Sequence, residues 1–219
     1  MRFYSMNNYL VPQVSKNLIK ASDLLTNRFP KPKLELSMNW RPSKLKGQLN
    51  ELIGEEHSAH LTITSSIIQS FQAITESVVW ITTSLNTFFP PDMDQSGIDL
   101  SNLTIINLPN LSAITKVTER LAYSNAFGLI ILEITPGKNI PHISMRKLMQ
   151  SVTKKETAIV FLNTSGNIIE PFISLRGHVH RYKAQKSEEF HYSIKILKDR
   201  QNRPGLLLTN TYRAPDGMR

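Results

Sequence analysis

Glu51-Leu52-Ile53-Gly54-Glu55-Glu56-His57-Ser58-Ala59-His60-Leu61-Thr62-Ile63-Thr64-Ser65-Ser66-Ile67 is the stretch whose reading decides the fold. A β-like run over residues 48–53 passes through Gly54 into a polar loop, and a helical pattern opens near Thr62. That is the outline of a phosphate-binding turn, but its chemistry is missing. Such a turn needs a second glycine so that backbone N–H groups can wrap the phosphates, a lysine for the terminal phosphate, and a hydroxyl for Mg²⁺. The three consecutive places hold Ala59, His60 and Leu61. An imidazole with a reference pKa of about 6.5 is mostly neutral at pH 7, and a leucine offers no oxygen to a metal. Glu55 and Glu56 add negative charge where phosphate would have to approach, although solvation alone accounts for them.

Outward from this turn, strand and helix patterns alternate. Residues 62–75 carry Ile63, Ile67, Ile68 and Phe71 at helical spacing, and 77–83 are apolar and β-branched, as a buried parallel strand requires. A loop with a short helix is expected over 89–100. Strands follow at 103–109, 127–134 and 157–163, separated by helices at 111–125 and 144–154. The run 127–134 is the most apolar and is expected at the centre of the sheet. This alternation predicts an α/β fold with right-handed crossovers and a mostly parallel, twisted sheet flanked by helices. The runs 173–181, 190–198 and 206–210 alternate polar and apolar residues, so antiparallel strands are expected at the C-terminal edge. Before the sheet, residues 13–27 form an amphipathic helix that Pro30 and Pro32 terminate, giving a helical arm and linker over 1–37 and a core over 38–219.

A chain of 219 residues supports one substantial core and a small arm. It has no cysteine, which excludes thiol catalysis, zinc ribbons and disulfides. No apolar run approaches the length of a membrane helix and the first residues lack a signal-type core, so a cytoplasmic protein without membrane contact is expected. The six histidines form no ligand motif; His178 and His180 alternate on one strand without a third ligand near in sequence. The formal charge is +9, and from Arg176 onward ten basic residues face four acidic ones. Such an imbalance suits a polyanion or an acidic partner, or simply a solvated basic edge.

From about Lys44 to Lys198 the order of segments resembles the core of the RecA recombinase: residues 47–54 before the phosphate turn, Phe127 to Glu133 as the second nucleotide strand, and Met145 to Asn163 between the two DNA loops. A closer likeness, over most of the chain, is to the ImuA-type proteins, often grouped with the SulA division inhibitors. It is carried by Phe89-Pro90-Pro91, by 97–103 (GIDLSNL), by 124–129 (SNAFGL), by Ile173-Ser174-Leu175-Arg176 and by the ending Ala214-Pro215-Asp216-Gly217-Met218-Arg219. The resemblance implies a RecA-like core encoded with an ImuB-like, inactive polymerase-like subunit and an error-prone polymerase, which together support damage-induced mutagenic synthesis.

On that alignment the water-orienting carboxylate falls at Ser84, and only Glu133 keeps an acid where the second nucleotide motif expects one. The degenerate positions are thus Gly54, Ala59, His60, Leu61, Ser84 and Glu133. No catalytic residue, metal or cofactor is expected. In the shortened DNA loops only Lys138 and His142 could approach a phosphate; further DNA or partner contacts are expected from Arg176, Arg181, Lys195, Lys198, Arg200 and Arg203. The resulting expectation is a non-hydrolysing accessory protein of damage-induced mutagenesis that contacts an ImuB-like subunit and RecA. Two alternatives stand beside it: a SulA-like inhibitor of cell division, and a single-stranded DNA-binding protein acting through the basic C-terminal region.

Overall fold

The computed structural model describes residues 40–55, 58–83, 96–134, 140–164, 170–183, 189–201, 205 and 207–213. The arm expected over 1–37 lies outside the described residues, as do Ser84, Lys138 and Arg203.

Eight strands form one sheet: β1 (Leu49–Gly54), β2 (Val78–Thr82), β3 (Leu103–Asn107), β4 (Leu129–Glu133), β5 (Ala158–Asn163), β6 (Ile173–Lys183), β7 (Glu189–Asp199) and β8 (Leu207–Arg213). Their order is β3-β2-β4-β5-β1-β6-β7-β8. Every pair from β3 to β6 is parallel, and β6-β7 and β7-β8 are antiparallel. The expected fold class is therefore observed. The run 127–134 is an interior strand, but the middle of the sheet belongs to β5 and β1.

Among the described residues four α-helices accompany the strands: α1 (Pro42–Leu45), α2 (His60–Gln72), α3 (Leu111–Ser124) and α4 (His142–Lys155). Helix α1 falls where the sequence showed no regular pattern, since a single turn is too short to display a period. Helix α2 lays Ile63, Ile67, Ile68 and Phe71 on one face of the sheet, against Leu52, Trp80, Ile131 and Val160. Burying those four side chains contributes roughly 6–12 kcal/mol before entropy. Its buried hydroxyls are satisfied within the helix: Thr64, Ser65 and Ser66 donate to the carbonyls four residues back at 2.7, 2.9 and 3.2 Å. The opposite face is covered by Ile114 and Ala122 of α3 and Met145, Leu148 and Val152 of α4. Helices on both faces explain why β2 and β5 are buried at every position, the pattern of parallel strands.

Asn110 caps α3 by accepting from Ala113 N at 2.9 Å, and Asn125 ends it in the left-handed region. Helix α2 follows β1 onto one face of the sheet and α4 follows β4 onto the other, and in open α/β sheets ligands bind at the carboxyl ends of the strands.

Candidate nucleotide site

The turn after β1 folds back onto the strand end. Gly54 is required there by proximity: a Cβ would meet Ser58 Oγ and lie 2.9 Å from His60 Nδ1. Ser58 Oγ is 2.6 Å from His60 Nδ1, a hydrogen bond between the two side chains, and Ser58 N donates to Glu55 O at 3.0 Å. Ala59 precedes α2 without a side-chain cap, and its methyl is buried in the core. Leu61 packs partly buried against that same core. The turn thus holds a serine and a histidine bonded to each other and an apolar pair, Ala59 buried and Leu61 half-buried. Glu55 is exposed, as solvation predicts.

Burial lowers the pKa of His60 below its ordinary value. The proton is unwelcome there because desolvation disfavours the charged ring. Below about pH 6.5 the unfolded chain takes up a proton that the folded ring resists, so stability falls as the pH drops toward the depressed folded value. His178, lowered chiefly by burial, shifts stability in the same direction. Urea unfolding is expected to show a lower midpoint at about pH 5.5 than at about pH 7.5, with a smaller difference in His60→Gln.

Glu133 lies at the end of β4, where Trp80 Nε1 donates to its Oε2 at 3.4 Å. The carboxylate is thus engaged by its neighbour on β2. Across the sheet, a feature absent from the sequence expectations occupies the same end. Glu51 is fully buried on β1, forms an ion pair with Arg176 of β6, and accepts from Asn163 Nδ2 of β5 at 3.1 Å. The signal was present: a carboxylate in a strand buried on both faces demands a partner.

Arg176 corrects one expectation. It was placed among the DNA or partner contacts, yet it is 5% exposed and held by Glu51, so its charge is spent inside the protein. Of the others, Arg181, Lys195 and Arg200 are exposed and Lys198 is half-buried. Arg200 donates to Pro171 O. His142 is exposed and stands edge-on to Phe172, ring centroids 4.6 Å apart. Among the described residues no group of three or more acidic or histidine side chains could hold a metal ion, and no helix is long and apolar enough to cross a membrane.

No family model matches the chain. The chain is 20% identical to Protein RecA of Caulobacter vibrioides (strain NA1000 / CB15N) in an alignment of 194 residues that covers 71% of this chain and 54% of that protein. To Protein RecA of Rhizobium rhizogenes (strain K84 / ATCC BAA-868) it is 22% identical over 198 residues, 73% of this chain and 55% of that one. Its likeness is RecA-like. The relationship is distant, and the chain spans about half the length of the curated relatives it matches. The mostly parallel sheet with antiparallel strands at its C-terminal edge is consistent with a RecA-like core.

Proposed function

We propose that this chain is a non-hydrolysing RecA-like accessory protein of damage-induced mutagenesis that works through contacts with an ImuB-like polymerase subunit and with RecA. The observation that carries the reading is the turn after β1, where Ser58 and His60 bond to each other over Gly54 and Leu61 turns to the core. At Ala59, His60 and Leu61 such a turn offers no lysine and no hydroxyl to a phosphate and its metal. A fold kept in outline around a disabled site retains its recognition surfaces as the useful part.

The test is co-purification of the full chain with an ImuB-like subunit and, separately, with RecA, with and without ATP and Mg²⁺. Binding to at least one of them, unchanged by nucleotide and without ATP turnover, is the expected result. Measurable turnover, or no contact with either protein, overturns the proposal. Filamentous cells on overexpression with an unaltered mutation frequency would assign the chain to division control instead.

A further inference from the structure

Helices α3 and α4 cover one face of the sheet, each with its apolar side against the strands: Ile114 and Ala122 from the first, Met145, Leu148 and Val152 from the second. Their outward sides are strongly basic. Together the two helices carry six basic residues and one acidic one, Glu119, which is half-buried. Lys116, Arg120 and Tyr123 recur at four and three residues along α3, and Ile143, Lys147, Gln150 and Lys154 at four, three and four along α4, so each set forms one stripe on its helix. All seven are exposed. Among the described residues Lys116, Arg120, Lys147 and Lys154 form no ion pair.

The two helices run parallel, because each returns the chain between parallel strands. Their carboxyl ends meet where Lys155 Nζ stands 5.4 Å from the centre of the Tyr123 ring, which is still 64% exposed. In the first turn of α4, at the other end, Ile143 is 68% exposed. About 18 Å of helix separates these two apolar side chains, with the cations between them.

We infer that the face shared by α3 and α4 docks an acidic, amphipathic helical segment of another protein, its carboxylates meeting Lys116, Arg120, Lys147 and Lys154 and its apolar ends packing on Ile143 and Tyr123. Charge fixes the sign of the occupant, and the apolar ends fix its kind. A phosphate backbone has no use for Ile143, and the Tyr123 ring is already faced by Lys155, so no row of open rings awaits bases. A lipid surface asks for a continuous apolar stripe, which two residues at opposite ends do not make. A helix of about twelve residues spans the distance with room for three turns of carboxylates. The arm of this chain does not suit the face, since residues 1–39 carry six basic residues against two acidic ones. Helix α2 and the turn after β1 pack on the other side of the sheet, so the inference goes beyond the proposed function and stands or falls without it.

The experiment is fluorescence anisotropy of an end-labelled, helix-forming synthetic peptide of about 14 residues, with leucine near one end, phenylalanine near the other and glutamates between, titrated with the full chain at about 50 and 200 mM salt. Binding that weakens with salt is expected, and the same peptide with glutamine for every glutamate should bind at least about tenfold more weakly. Lys147→Glu combined with Lys154→Glu should lower affinity for the glutamate peptide by about tenfold or more and raise it for a peptide with lysine in place of glutamate, a reversal that misfolding cannot produce. Ile143→Ser combined with Tyr123→Ser should weaken binding and leave its salt dependence in place. The far-ultraviolet circular dichroism of each variant checks that it is folded. No anisotropy change with the glutamate peptide, an unaltered affinity in the double serine variant, or losses as large from the same charge reversal at Arg181 and Lys195 of the C-terminal strands overturns the inference. Competition by oligothymidylate or by phosphatidylglycerol vesicles as effective as by unlabelled peptide overturns it too, in favour of a phosphate-bearing ligand.

Discussion

Replacing Arg176 with alanine is expected to destabilise the fold by about 3–5 kcal/mol, because it strands a carboxylate in the middle of the sheet. Glu51 is fully buried and Arg176 nearly so, and they meet across adjacent parallel strands. The cost arises from the charge left behind more than from the pair lost. A lone buried carboxylate must either ionise without a cation or take up a proton, and both states are unfavourable. Asn163 donates to one of its oxygens, which does not neutralise it. The companion variant is therefore informative: Glu51→Leu with Arg176→Met should recover most of the loss, since an apolar pair of similar volume avoids both desolvation costs. Urea unfolding of wild type, Glu51→Leu, Arg176→Met and the double variant closes the cycle, with Arg176→Ala measured beside it. A single-variant loss below about 1 kcal/mol would show that the pair behaves as an exposed one.

The same pair shows what the sequence made legible and what it did not. Strands buried on both faces announce themselves as continuous apolar runs, so β2, β4 and β5 were readable from Val78 to Thr82, Leu129 to Glu133 and Ala158 to Asn163. Helix α2 was readable because its apolar residues recur at helical spacing, while the serines and threonine between them satisfy themselves locally. The turn after β1 was readable as a strand end passing through Gly54 into a helix. What the residues of the turn do was not: the Ser58 to His60 bond depends on how closely the loop returns over Gly54, and closeness in space leaves no periodic trace. Arg176 was misread for a related reason. In a basic C-terminal segment each cation reads as surface charge, and its partner Glu51 lies 125 positions away in the chain.

Trp40 carries the second large effect, and it too hangs on a long-range contact. Its side chain is fully buried, and a Cβ added to Gly177 would lie 2.7 Å from Trp40 Cζ2 and 2.8 Å from Ile194 Cγ2. The indole thus lies over the one position in β6 where the backbone has no side chain, sealing the core at the point where the sheet turns from parallel to antiparallel pairing. Trp40→Ala is expected to cost about 3–5 kcal/mol, the range for an aromatic side chain lost from a core. Trp40→Phe should cost far less than that, because Trp40 Nε1 is buried without a hydrogen-bond partner and its removal forfeits no bond. Gly177→Ala approaches the same contact from the other side: neither the indole nor Ile194 is the loose end of a flexible chain, so about 1–3 kcal/mol of overpacking strain is expected. If the glycine and the tryptophan are one packing unit, Gly177→Ala in the Trp40→Phe background should be milder than in wild type, the smaller ring leaving room for the methyl. Denaturant midpoints for the four proteins decide it. Strictly additive losses would mean that the methyl is accommodated by Ile194 alone, leaving the indole as a separate contributor to the core.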